Sequence, residues 1–370
     1  MFRLPFIFLF TVLSIFTSNF FAKDYQLDQK IGQMIIVGFK GYKIDDEPKL
    51  VEQIKKGMIG GVILSDFDTA SQTYERNIKN SSQLKRLCQS IQSLAKIPLF
   101  ICIDHEGGVV CRLKQKNGFP STMSQQSLGE IDQLSFTYQY SEFAAKVLKN
   151  HGINLNLAPV VDVNRNKNCP CIGKKQRSFS SDPLKVHDHA KEMICAYKDV
   201  NVLTCIKHFP GHGSSNNDTH LGFVDVTNTW SKFELIPYKK LIDEDLVDIV
   251  MSAHVTNCAI DPDFPSSLSK NTVSGVLRDY LRYEGVVMTD DLQMKSLTDF
   301  FSLKDAIKYA IQAGNDLLLF ANHETYDIEI APKVIHYVKQ LILEGEITEL
   351  QINRSNERIQ KLKLRFQESN

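Results

Sequence analysis

Eight short apolar, β-branched runs separated by helix-like stretches predict an α/β chain, a single-domain TIM-type (β/α)8 barrel. Three observations carry that expectation. Each run is apolar nearly throughout rather than alternating, as in strands buried on both faces of a parallel sheet. Eight strand–helix units within about 300 residues suit a closed barrel better than an open doubly wound sheet. No G-x-G-x-x-G follows a strand, which turns the reading away from a dinucleotide-binding fold.

In order, the strands are expected at Met34–Gly38, Gly61–Leu64, Leu99–Ile103, Ile153–Pro159, Val202–Ile206, Ile249–Ala253, Val286–Met288 and Asp316–Phe320. Helices are expected between most of them, at Ala70–Leu94, Ser135–Asn150, Pro183–Asp199, Ser231–Asp243, Ser269–Leu281 and Leu303–Ala313. The stretch from Ala331 to Phe366 reads as two further helices that complete the outer ring.

Composition narrows the class. Lys plus Arg equals Asp plus Glu, 43 each, so nothing points to nucleic acid or another polyanion. Met1–Ala22 stands apart: Arg3, then the apolar run Leu4–Phe16, then small or polar residues up to Ala22. That pattern is a secretory signal, with an uncleaved membrane anchor as the alternative because Phe20 is large where a small residue is preferred. The chain is therefore expected to be exported, to the periplasm, with residues 23–370 forming the folded domain. Of eight cysteines no two make a C-x-x-C pair, so neither metal nor other cofactor is expected. Cys169-Pro-Cys171 is placed in a loop and is the best redox candidate. No partner chain is called for, and the protein is read as a monomer.

The constellation around which the site is expected is Lys207-His208-Phe209-Pro210-Gly211-His212-Gly213, continuing to Asp218-Thr219-His220. A strand that ends in Lys-His and breaks at Pro-Gly delivers polar groups to a rim. Gly213–Asn217 is small and polar and reads as an exposed, mobile loop. In an extended Asp-x-His both side chains face one side, so Asp218 can hold one imidazole nitrogen and leave the other to move a proton.

Other strand ends carry Asp104, Asp162, His254 and the pair Asp290-Asp291. Active sites of such barrels lie at the carboxyl ends of the strands. Asp290-Asp291 alone could be helix caps, but ionisable groups on five strand ends favour catalysis. A strand-end carboxylate can attack an anomeric carbon. Most glycosidases pair it with a second carboxyl group; here His220, oriented by Asp218, is the available acid/base.

At these residues the chain resembles the short, single-barrel β-N-acetylglucosaminidases of glycoside hydrolase family 3. The matching stretches are Lys30–Phe39, Gly60–Leu64, Asp104–Gly108, Asn156–Val163, Arg177–Phe179, Lys207–Gly213 with Asp218-Thr-His220, Ala253–Val255 and Thr289–Leu292. The resemblance implies Asp290 as nucleophile, His220 as acid/base with Asp218 as its partner, and Asp104, Arg112, Arg177, Lys207 and His208 as holders of the terminal sugar. It implies that His212 shapes the loop, that Glu106 braces its Gly-Gly turn and that His254 supports the site from behind.

His105 and Val109 depart from the family's Gln and Arg, and Ser65-Asp66 and the insertion Lys167–Lys175 are atypical. The implied activity is a retaining exo-hydrolysis of terminal β-linked N-acetylglucosamine from peptidoglycan fragments or chitooligosaccharides. A phosphorylase, a β-glucosidase and a non-catalytic sugar-binding barrel are the alternatives.

Overall fold

The computed structural model describes residues 26–367 except Ala70 and Glu324, with no side-chain description beyond residue 365. The signal or anchor expected at Met1–Ala22 lies outside the described residues. No described helix is long and apolar enough to cross a membrane.

The barrel strands, numbered in chain order, are β1 (Ile35–Gly38), β2 (Gly61–Leu64), β3 (Phe100–Ile103), β4 (Leu155–Asn156), β5 (Leu203–Phe209), β6 (Ile249–Ser252), β7 (Val286–Thr289) and β8 (Leu318–Phe320). Each pairs in parallel with its sequence neighbour, and β8 pairs with β1. A parallel bridge from Met288 to Leu317, with Thr289 N–H donating to Leu317 O at 2.9 Å, joins β7 to β8 and completes the circuit. All eight predicted strands are present. Seven of them are buried at every position, the near-continuous apolar pattern that parallel strands under a helical coat require; β5 too is wholly buried, although it carries Lys207 and His208.

The helices form where local chemistry starts and stops them. In Pro183–Asp199 the Asp182 carboxylate accepts from Leu184 N–H and Pro183 occupies the first turn, where its missing N–H is harmless. In Leu303–Ala313 Ser302 caps the start and left-handed Gly314 ends it. Ser269–Leu281 becomes the wide-turned helix Asn271–Tyr280. The C-terminal pair is Ile330–Leu343 and Glu349–Gln367.

The last helix also closes the floor of the barrel. There Lys363, buried, donates to Gly60 O (2.9 Å) and Gln33 Oε1 (2.8 Å). One helix is shorter than expected. The predicted Ala70–Leu94 begins only at Ser81, where Asn80 caps it by accepting from Gln83 N–H. Upstream, Arg76 and Asn77 are buried and donate to backbone carbonyls of Phe39, Gly41, Ala321 and Asn322, which holds that segment as a loop across the mouth.

Candidate active site

The carboxyl ends of the strands open into a cavity of about 510 Å³ lined by Asp104, Arg112, Lys175, Arg177, Lys207, His208, His220, Asp290 and His323 among others. Every sugar-holding, nucleophile and acid/base residue expected from the sequence lines it except Asp218, which stands behind His220.

The cradle of charge is built from β3, β5 and the loop after β4. Lys207 Nζ lies 2.7 Å from both Asp104 Oδ1 and Glu106 Oε1. Arg177 grips Glu106 with two parallel bonds, 2.7 and 2.8 Å, and Arg112 reaches Asp104 at 3.5 Å. Burial would raise both carboxyl groups. For Asp104, Lys207 and Arg112 outweigh it and hold the group well below the carboxylate range; for Glu106, Arg177 and Lys207 bring it down to about 2. Glu106 therefore does not merely brace its own turn. It is the common anion of two cations from distant segments.

His208 reads as neutral. Arg177 Nη2 can only donate, at 3.1 Å, so His208 Nε2 accepts and its Nδ1–H donates to Asp162 Oδ2 at 2.6 Å. Burial also lowers its affinity for a proton. Asp162, fully buried, takes two further bonds from the backbone N–H groups of His208 (3.2 Å) and His212 (2.8 Å). Asp162 thus pins the end of β5, where the Lys207–His208 and Phe209–Pro210 peptides are cis.

The two aspartates after β7 part company. Asp291 is buried and accepts from Gln293 N–H and Ala321 N–H, both at 3.1 Å. Burial carries it up to about 7 against those two donors, with Asp290 adding to the rise. Asp290 lines the cavity. Burial would raise it, but His254 and His220 around it and the Asp291 N–H that donates to its Oδ1 at 2.9 Å hold it below its ordinary value, so it is an anion at neutral pH. His254 accepts from Ser267 Oγ (2.6 Å) and donates Nε2–H to Asp291 O (2.9 Å), which sets the turn that carries both aspartates.

The Asp218–His220 pair closes at 2.7 Å between Oδ1 and Nδ1, and Lys175 Nζ sits 3.2 Å from the other carboxylate oxygen. Burial would raise Asp218, yet His220 and Lys175 depress it far below the usual range. It is a fixed anion that holds Nδ1–H and leaves His220 Nε2 for the cavity; the His220 side chain is 60% exposed.

The loop that carries the pair is less mobile at its root than expected. Gly211 through Ser215 are buried, and exposure begins at Asn216 and Asn217. A Cβ at Gly213 would stand 1.9 Å from Val163 O, so only glycine lets the two loops approach this closely.

Cys169-Pro-Cys171 lies in a loop, as expected, with both cysteines buried. The two sulfurs are 3.3 Å apart and His212 Nδ1 is 3.3 Å from Cys171 Sγ. The bond from Cys171 lowers the Cys169 thiol, while that same bond and burial push the Cys171 thiol up.

Sequence reasoning missed Glu106 as a cradle residue, the bracing roles of Asp162 and Lys175, the cavity wall formed by His323, and the meeting of His212 with the two thiols. Asp162 was visible as a strand-end acid. Nothing local marks the roles of the other four, Glu106, Lys175, His323 and His212.

The sequence profile of the glycosyl hydrolase family 3 N-terminal domain matches residues 26–362. The chain is 30% identical over 378 residues to the β-hexosaminidase A of Pseudoalteromonas piscicida, covering 92% of this chain and 61% of that one. It is 32% identical to a β-hexosaminidase of Tolumonas auensis, covering 80% of this chain and 85% of that relative. Among solved structures, the family 3 β-N-acetylglucosaminidase from Paenibacillus sp. superposes with a TM-score of 0.82 at 32% identity, over 91% of this chain and 62% of that one. The β-N-acetylhexosaminidase from Beutenbergia cavernae superposes with a TM-score of 0.81 at 26% identity, over 91% and 98%.

Proposed function

This chain belongs to glycosyl hydrolase family 3, and on that premise we propose that it is an exo-acting, retaining β-N-acetylglucosaminidase. The observation that carries the reading is that Asp290 and the exposed edge of the Asp218–His220 pair line one cavity, beside a cradle of fixed charges. Asp104, Arg112, Arg177, Lys207 and His208 hold the hydroxyls of the terminal sugar, and Glu106 keeps Arg177 and Lys207 in position. Orienting the sugar in this way turns an intermolecular attack into a near-unimolecular one.

The Asp290 carboxylate attacks the anomeric carbon as the glycosidic C–O bond breaks. His220 Nε2–H gives its proton to the departing oxygen. Water then attacks the same carbon, passes a proton to the now neutral His220, and the bond to Asp290 breaks. Two inversions leave the configuration retained. Asp218, held ionised by Lys175, stabilises the imidazolium before and after the step.

The names of the relatives support N-acetylglucosamine as the sugar, and the secretory signal expected from the sequence of Met1–Ala22 would have it meet peptidoglycan fragments or chitin oligomers outside the inner membrane. A second reading rests on Lys174 and Lys175, which line the same cavity as a histidine rather than a carboxylate acid/base. Phosphate would not be repelled there, and a phosphorylase would release the sugar as its 1-phosphate.

The test is incubation of the purified mature chain with aryl β-glycosides of N-acetylglucosamine and of glucose, with and without phosphate. Free N-acetylglucosamine released with β-configuration at early times is expected. Preference for the glucoside would overturn N-acetylglucosamine as the sugar, and sugar 1-phosphate as the main product would overturn the hydrolase assignment.

A further inference from the structure

The loop after β4 and the loop after β5 bring three metal-ligating side chains together outside the sugar cavity. One donor atom each from Cys169, Cys171 and His212 lies within 4.8 Å of the others, and all three residues are buried. We propose that these residues bind one soft divalent cation, of the Zn²⁺ class, that fastens the acid/base loop to the body of the barrel.

The spacing fits. Tetrahedral zinc, with bonds of about 2.3 Å to sulfur and about 2.0 Å to nitrogen, sets two sulfurs about 3.8 Å apart and sulfur and nitrogen about 3.5 Å apart. The observed separations are 3.3 Å for Cys169 Sγ to Cys171 Sγ and 3.3 Å for Cys171 Sγ to His212 Nδ1. A breathing motion of half an ångström admits the ion.

An oxygen is also at hand. Ser215 Oγ lies 2.8 Å from His212 Nδ1 and 3.2 Å from Cys169 Sγ, inside the cluster, where it or a water takes the fourth position. His212 Nε2 is left 3.4 Å from Thr219 Oγ1, the outer contact that orients a ligating imidazole. Two sulfurs with one imidazole select a soft or borderline ion over Mg²⁺ or Ca²⁺.

The position gives the ion its role. Thr219 sits between Asp218 and His220, and Cys171 O accepts from Arg177 Nη1 at 2.9 Å. The cluster thus touches both the acid/base loop and the sugar cradle while reaching neither reacting atom, so the ion holds the loop and takes no part in bond breaking. The site does not depend on the assigned sugar or on hydrolysis.

The experiment uses the mature chain, purified without a histidine tag under reducing conditions, loaded with Zn²⁺ or Co²⁺ and desalted. The expected result is one metal per chain, a thiolate-to-cobalt charge-transfer band in the Co²⁺ form, and higher thermal stability with metal than without. Cys169→Ser/Cys171→Ser should lose both metal and band. If that variant does not fold, the cobalt band of the unaltered chain and the single variant Cys171→Ala decide the matter. Less than a tenth of an equivalent bound, equal binding by the double variant, a cobalt spectrum without the thiolate band, or a Cys169–Cys171 disulfide that persists through reducing purification would each overturn the site.

Discussion

Replacing Glu106 by Gln tests whether the sugar cradle rests on a shared buried anion. The Glu106 side chain is 1% exposed, takes two bonds from Arg177 and faces Lys207 at 2.7 Å. Gln keeps the volume. It removes the charge and turns one acceptor into a donor that must face an arginine or lysine N–H.

The magnitude follows from proton linkage. Against burial, the two cations bring Glu106 from 4.5 down to about 2. At about 1.4 kcal/mol per tenfold in affinity, the charged form contributes about 3 kcal/mol to folding at neutral pH. Removing one member of a buried pair is expected to lose a similar amount, about 3–5 kcal/mol. With an unfolding entropy of about 2.1 cal/mol/K per residue, 3 kcal/mol over 370 residues lowers the melting temperature by about 4 °C.

The sign of the pH dependence is fixed too. A carboxyl group depressed in the folded state stabilises above its unfolded value and ceases to as pH falls towards the folded one. The deficit of E106Q measured by urea unfolding should therefore be full at pH 7 and fall to about 1.4 kcal/mol at pH 3, where the unfolded chain has taken up the proton and the folded chain still largely resists it. A variant that unfolds with the wild type at pH 7, or one whose deficit is the same at pH 3, refutes the reasoning.

Three other outcomes are expected. Asp290→Ala should lower turnover of an aryl β-N-acetylglucosaminide by roughly 10³-fold or more with the circular dichroism spectrum unchanged, and near-normal rates would remove Asp290 from its role. His220→Ala should slow substrates with poor leaving groups by roughly 10²–10⁴-fold and activated aryl glycosides far less, since only the former need the proton; equal slowing across a leaving-group series would count against His220 as the acid. Burial pushes Glu234, packed beneath Gly211, up to about 8. A group raised in this way holds a proton in the folded chain that the unfolded chain gives up, so stability should fall as pH rises from 4.5 through about 8, at up to about 1.4 kcal/mol per pH unit. Glu234→Gln should flatten that slope, and unfolding curves that stay parallel between wild type and variant from pH 6 to pH 9 would discard it.

What could be read in advance and what could not divide along a physical line. Strands and most helices are set by periodicity, caps and breakers within a dozen residues, and the eight apolar runs announced the barrel correctly. The loop mistaken for the start of a long helix failed for a reason outside its own sequence. Arg76 and Asn77 fit a helix well enough, but their side chains satisfy carbonyls at Phe39 and Ala321, and that tertiary demand overrides local propensity. Site residues at strand ends were legible because the barrel itself says where its mouth is. The Asp218–His220 pair was legible because its geometry is made within three residues.

Glu106 and His212 belong to the other side of that line. Glu106 meets Arg177 across 71 residues of chain, and His212 meets Cys171 across 41. No local pattern distinguishes a glutamate that braces its own turn from one that anchors two cations. A Cys-x-Cys likewise says little about metal until a third ligand is known, because the spacing rules for zinc are written for ligands close in sequence, whereas this imidazole comes from the next strand's loop. Yet both groups sit next to residues whose positions were foreseen, Lys207 and Thr219. Once a barrel's mouth is located, the residues one step back from each expected contact are therefore where unforeseen chemistry should be sought. A loop that holds a proton donor needs something rigid behind it, and here that support is a buried aspartate on one side and two thiols on the other.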